Sequence, residues 1–227
     1  MLLSPGVSAA VDLKLSVHSA ILMDMTTGRV LLSHNADDPL QPASITKVLS
    51  LYLADEAIRE GRVRPTDPVK ISRKAQRTGG SKMFLQAGSE IPLQDLLKGM
   101  AVVSANDASV AVAEYLGGNV ENFVKQMNGK ARELGMNNSC FKNPNGLPAR
   151  GQFTTARDML VLACDYLRQF PECLELHSQQ YFTYRDITQR NRNSLLRRYP
   201  NADGLKTGWV VQAGYHIVAT AKRGKTR

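Results

Sequence analysis

Pro42-Ala43-Ser44-Ile45-Thr46-Lys47-Val48-Leu49-Ser50-Leu51-Tyr52-Leu53 is the stretch from which the rest of the chain is read. A serine just after a proline opens an apolar run with helical spacing, and a lysine follows three residues later. Residues three apart on a helix share a face, so the Ser44 hydroxyl and the Lys47 amine can meet. Both residues also have ordinary roles, since serine commonly caps a helix start and lysine is at home on any helix. Ser139-Cys140-Phe141-Lys142 repeats the spacing in what reads as loop and strand, so the pair alone assigns no chemistry. Two later stretches change its weight: Ser104-Ala105-Asn106 and, further on, Lys206-Thr207-Gly208.

The 227 residues, 43% of them hydrophobic, can bury a core as one large domain or two lobes. A formal charge of +9 suits nucleic acid, an anionic membrane or wall polymer, or small anionic substrates. Arg190, Arg192, Arg197 and Arg198 cluster, as do Lys222, Arg223, Lys225 and Arg227. No nucleic-acid motif or interleaved aromatics accompany them, so they read as solvated basic surface and no nucleic-acid partner is expected. Cys140, Cys164 and Cys173 lack metal-ligand spacing and read as small core residues; no metal or other cofactor is expected. No apolar run approaches the roughly 18 residues that span a membrane. Val7-Ser8-Ala9 puts small residues where a signal peptidase cuts, so residues 1–10 read as the tail of an export leader and 11–227 as one domain of two lobes.

Residues 18–25 and 29–33 flank the turn Thr26-Thr27-Gly28 as a β-hairpin. The Ser44 helix should run to about Glu60 and stop at Gly61. Residues 69–72 read as a short strand, 78–81 as a flexible loop and 83–85 as extended. Helices are expected over 93–100, 106–116, 120–134 and 155–170, with a turn at Asn143-Pro144-Asn145-Gly146. Strands are expected over 181–184, 204–208 and 215–222. Strands at both ends with helices between them imply an α+β fold: one antiparallel sheet built from both chain ends, with a mostly helical lobe inserted.

An alcohol is a weak nucleophile near neutral pH, so Ser44 needs a base within hydrogen-bond reach. Lys47 can serve when neutral, and burial and a second cation, Lys206, both lower a lysine pKa. Ser104 then relays a proton between Lys47 and a leaving amine. Asn106, with donor and acceptor on one short side chain, fixes Lys47 and holds a substrate amide. Lys206-Thr207-Gly208 is expected on a strand at the site's edge. There a substrate carboxylate meets the Lys206 charge and the Thr207 hydroxyl, and Gly208 lets a peptide come close.

The three motifs occur in the order known for penicillin-recognising serine enzymes. Together with stretches 22–31, 42–47, 81–85, 99–108, 133–141, 146–147, 155–158, 191–193 and 203–215, the chain resembles the serine-type D-alanyl-D-alanine carboxypeptidases. These are the low-molecular-mass penicillin-binding proteins of the β-lactamase/transpeptidase-like superfamily, and the likeness runs from about residue 19 to 222. It implies an acyl-enzyme on Ser44, a base at Lys47, roles for Ser104 and Asn106, and carboxylate binding by Lys206 and Thr207. Oxyanion donors would be the main-chain N–H groups of Ser44 and Trp209, with Arg192 helping to hold the terminal carboxylate. The implied reaction removes the terminal D-alanine from peptidoglycan stem peptides outside the cytoplasm, in the periplasm or at the outer face of the membrane. β-Lactams would acylate Ser44. The resemblance also implies a further interior strand and a packing helix after Arg227, with peripheral membrane association through such a segment. The expectation is therefore a chain cut short at both ends, with activity belonging to a longer product.

Three rivals share parts of this reading. A D-alanyl-D-alanine endopeptidase would cut cross-links with the same residues. A class A β-lactamase needs a deacylating glutamate, which Glu133-Leu134-Gly135-Met136-Asn137 superficially offers; that stretch ends an amphipathic helix with Gly135 as its cap, so Glu133 reads as a surface residue. A non-catalytic fragment binding peptidoglycan or β-lactams is the third. Asp107 and Asp158 read as helix-start residues, and the four histidines as scattered core or surface residues.

Overall fold

The structure, a computed structural model, describes residues 15–227. The leader-like residues 1–10 lie outside that range. Strands β1 (Ala20–Asp24) and β2 (Arg29–His34) form the expected first hairpin. A 3-10 turn, Ala43–Thr46, leads into α1 (Lys47–Arg59). Every residue of α1 from Lys47 to Ala54 is buried, because the helix is apolar nearly all round and other helices close over it.

Strand β3 (Pro68–Lys70), helix α2 (Arg73–Arg77) and strand β4 (Glu90–Pro92) come next, with β3 and β4 paired antiparallel. Helices α3 (Leu93–Val102), α4 (Asn106–Gly117), α5 (Val120–Glu133) and α6 (Ala156–Gln169) complete the helical lobe. The foreseen face of α3, with Leu93, Leu96, Leu97 and Met100, is buried, as is all of α4 from Asn106 to Ala113. Asn119 and Thr155 cap α5 and α6 by accepting from Asn122 N (2.7 Å) and Asp158 N (3.0 Å). Gly135, at φ 82°, ends α5 in the left-handed conformation that suits glycine. Fully burying a Leu, Phe or Met contributes about 1.5–3 kcal/mol, so this core holds α1, and with it the Ser44 turn, in a fixed place.

The last third contains α7 (Cys173–His177), the hairpin β5 (Tyr181–Tyr184) and β6 (Ile187–Arg190), α8 (Leu195–Arg198), and the hairpin β7 (Ala202–Val210) and β8 (Gly214–Ala221). Helices α2, α7 and α8 and strands β4 and β6 were not foreseen. The α+β division is as expected, and the strands from both chain ends form the hairpins β1–β2 and β7–β8, with no strand among the described residues between them, where the family resemblance places a further interior strand. They meet at one corner. The Arg227 carbonyl accepts from Met25 N (2.7 Å), Arg227 N donates to Thr26 Oγ1 (3.0 Å), and the Arg227 guanidinium donates to both Asp203 carboxylate oxygens (2.9 and 2.6 Å).

Residues 83–85 form no strand. The buried Asp107 carboxylate accepts from Met83 N and Leu85 N at 3.1 Å each, arching the chain so that Phe84 sits at φ 66° with its side chain exposed. Asp107 is thus a tertiary clamp as well as a helix-start residue. The three cysteines are free.

Candidate active site

The 3-10 turn has three residues per turn, which sets Lys47 directly over Ser44. Lys47 Nζ lies 3.0 Å from Ser44 Oγ, 2.7 Å from Asn106 Oδ1 and 2.8 Å from the Asn145 carbonyl oxygen. Asn106 Nδ2 donates to Gly79 O (2.8 Å), which fixes the amide with its oxygen towards the lysine. Ser44 caps no helix: the turn has no side-chain cap bond, and the serine hydroxyl is paired with the amine instead. Ser44 is half-buried while Lys47 is fully buried, so the hydroxyl is open to solvent on one side and the amine is not.

Burial is the main force lowering the Lys47 pKa well below its ordinary value; the nearby Lys206 charge adds to it and Asp107 opposes it. The geometry accommodates the neutral amine completely. Two of its neighbours are carbonyl oxygens, which only accept, and they take its two N–H bonds. The lone pair is left for the one neighbour that can donate, the Ser44 hydroxyl.

The turn is held under strain. Ala43 adopts φ 48° although it is not glycine, at a cost of about 1–2 kcal/mol. Two glycines make the room. A Cβ on Gly146 would lie 1.7 Å from the Ala43 carbonyl oxygen, and one on Gly208 would lie 3.0 Å from both Ala43 Cβ and Ser44 N. Strand β7 therefore runs against the Ser44 turn, with Gly208 at Ser44 N and Lys206 near enough to Lys47 for its charge to act there, and Thr207 and Trp209 flank Gly208 on the same strand. Lys206 is buried, donates to Thr207 O (3.0 Å), and has its pKa lowered to about 7 by burial and then by the neighbouring Arg192 charge. Arg192 and Trp209 are exposed at the rim.

Ser104 is not part of the Lys47 network. It sits at φ 63° in the link between α3 and α4, and its buried Oγ has no hydrogen-bond partner among the described residues. The sequence reading missed Asn145, whose main-chain oxygen holds Lys47; the Asn143-Pro144-Asn145-Gly146 turn was its only signal. Glu133 is exposed and paired with Lys130 (2.8 Å) on the end of α5, as its surface reading expected.

The family profile described as D-alanyl-D-alanine carboxypeptidase, Peptidase_S11, matches residues 6–227. The chain belongs to this family. The D-alanyl-D-alanine carboxypeptidase DacF of Bacillus subtilis (strain 168) is 41% identical over 215 residues, covering 92% of this chain and 55% of that protein. The chain spans about half the length of the curated relatives it matches. Among solved structures, the D-alanyl-D-alanine carboxypeptidase DacD from Francisella tularensis superposes with a TM-score of 0.93 at 31% identity, over 99% of this chain and 67% of that one. Penicillin-Binding Protein D2 from Listeria monocytogenes, in its ampicillin-bound form, gives a TM-score of 0.86 at 29% identity, over 95% and 88%. The carboxypeptidase family's fold thus accounts for both the helical lobe and the β7–β8 hairpin.

Proposed function

We propose that this chain carries the acyl-transfer site of a serine-type D-alanyl-D-alanine carboxypeptidase that removes the terminal D-alanine from peptidoglycan stem peptides outside the cytoplasm. The observation that carries the reading is the Lys47 amine, buried beside a second cation, with two carbonyls on its N–H bonds and Ser44 Oγ at 3.0 Å. Lys47 takes the hydroxyl proton as Ser44 Oγ attacks the carbonyl between the two D-alanines. Negative charge on that oxygen meets the main-chain N–H groups of Ser44 and Trp209. The unpartnered Ser104 hydroxyl relays the proton to the leaving amine, D-alanine departs, and a water deprotonated by Lys47 hydrolyses the ester and frees Ser44. Lys206, Thr207 and Arg192 hold the terminal carboxylate until it leaves with that D-alanine. The ampicillin-bound form of the Listeria relative supports extending the same ester chemistry to β-lactams.

Labelled penicillin should leave one covalent adduct, mapped by mass spectrometry to the peptide containing Ser44 and missing from Ser44→Ala. A D-alanyl-D-alanine peptide should release D-alanine. No adduct, or an adduct elsewhere, sinks the proposal. Preferred cleavage of cross-linked dimers reassigns the site to an endopeptidase, and rapid repeated turnover of penicillin to a β-lactamase. An adduct without D-alanine release marks a binding fragment.

A further inference from the structure

The hairpin β5–β6 and helix α8 carry a dense positive charge that no ion pair among the described residues neutralises. Arg185, Arg190, Arg192, Arg197 and Arg198 fall between residues 181 and 200, where Asp186 is the sole acid. All five arginines are exposed, and none joins an ion pair among the described residues. Their contacts are to rings and neutral oxygens instead. Arg190 lies 5.6 Å from the Tyr181 ring and donates to its hydroxyl (3.3 Å), and Arg197 donates to Asn191 O (3.4 Å). Such contacts steady a guanidinium and leave its charge free.

This display is pinned to both walls of the Ser44 cleft. Asn191 and Asn193, 4% and 1% exposed, bracket Arg192. Asn191 Nδ2 donates to Gln179 O (2.8 Å), and Asn193 Nδ2 donates to Gly204 O (3.1 Å), two residues before Lys206. Across the cleft, Gln189 Nε2 donates to Lys82 O (3.0 Å), next to Ser81, whose carbonyl accepts from Asn106 N (2.7 Å).

We infer that this arginine face binds the acidic upstream part of the peptide being cut, with Arg190, Arg197 and Arg198 meeting carboxylates beyond the terminal one that Lys206 receives. The inference rests on the acyl-transfer reading. A peptide is the fitting partner because the cations are spaced along a hairpin and a helix continuous with the terminal-carboxylate site, matching charges spaced along one chain. Guanidinium groups suit carboxylates through paired N–H donors.

The test uses the Ser44→Ala chain and two probes. One is an N-acetylated pentapeptide ending in D-alanyl-D-alanine with two further free carboxylates; the other is the same peptide with those two carboxylates amidated. Binding is read from Trp209, the only tryptophan, 54% exposed beside Gly208. The free acid should bind about 3-fold to 10-fold more tightly at low salt, as two exposed ion pairs would give. That advantage should vanish at about 0.5 M salt and in the Arg190→Gln/Arg197→Gln/Arg198→Gln chain. Equal affinities for the two probes, or an advantage that survives high salt, overturn the inference. Should the triple variant fail to fold, the salt titration on unchanged arginines decides. Failure of both probes to bind sinks the D-alanyl-D-alanine reading along with the inference, and the penicillin adduct on the chain with Ser44 intact tells that outcome apart.

Discussion

Two buried lysines lie close together, and their surroundings lower both pKa values. Lys47 meets two carbonyls and a hydroxyl and is pushed far down. Lys206 is lowered only to about 7, first by burial and then by Arg192, so it keeps its charge below neutrality and loses it as pH rises. For a peptide with a free terminal carboxylate, kcat/KM should therefore fall by about tenfold per pH unit above that point. A peptide amidated at its terminus should lack this limb. Arg192→Ala removes a like charge, so the Lys206 pKa rises and the limb moves to higher pH, even though kcat/KM drops. A limb that stays put refutes the Arg192–Lys206 coupling. At this scale Ser44, Lys47, Asn106 and Lys206 were legible because the chemistry demands those side chains at those spacings. Asn145 was not, since it acts through a carbonyl that every residue possesses. Asp107 was not either, because its partners, Met83 and Leu85, lie a loop away and offer only backbone N–H.

At the scale of elements, the position of Ser44 is set by the packing of a loop on a turn. Gly146, at φ 81°, presses on Ala43, at φ 48°, and a Cβ at 146 would meet the Ala43 carbonyl at 1.7 Å and Thr46 Oγ1 at 2.9 Å. The Ala43 carbonyl is backbone and cannot swing aside, so Gly146→Ala should shift the Ser44 turn. We expect penicillin acylation to slow by about 100-fold, the loss typical of misplacing reacting groups by roughly an ångström. Gly28→Ala is the control. Gly28 also has positive φ, at 75°, but nothing lies within 4 Å of an added Cβ. It should cost about 1–2 kcal/mol of stability and leave acylation unchanged. Equal acylation rates in the two variants would show that the loop does not set the turn. The long helices could be read from spacing and caps because those signals are local. The arched 83–85 segment could not, since a buried carboxylate from another element overrides its extended pattern.

At the largest scale, the two hairpins are separate sheets among the described residues and meet at one corner. Leu22, Val30 and Leu31 on one and Ile217 on the other remain about half exposed. The joint depends on Arg227, whose main chain binds Met25 and Thr26 while its guanidinium grips Asp203, each side chain being partly buried. Strands at both ends were legible from alternation, and the gap between the two hairpins is where the family resemblance calls for a further interior strand; alternation reports which residues can form strands and not which strands pair. Asp203→Ala removes the ion pair and keeps both the main-chain bonds and the guanidinium's bond to Thr220 Oγ1 (2.6 Å), at a cost of about 1 kcal/mol. Hydrogen exchange should then quicken in β1 and β2 while α1 keeps its protection, because α1 is fastened by the helical core. Penicillin acylation should hold its rate, since Gly146 and Gly208 position Ser44 without help from the first hairpin. Faster exchange spread evenly over the chain would mean that the corner contact supports the entire fold, and the separation of the catalytic turn from the first hairpin would then be wrong.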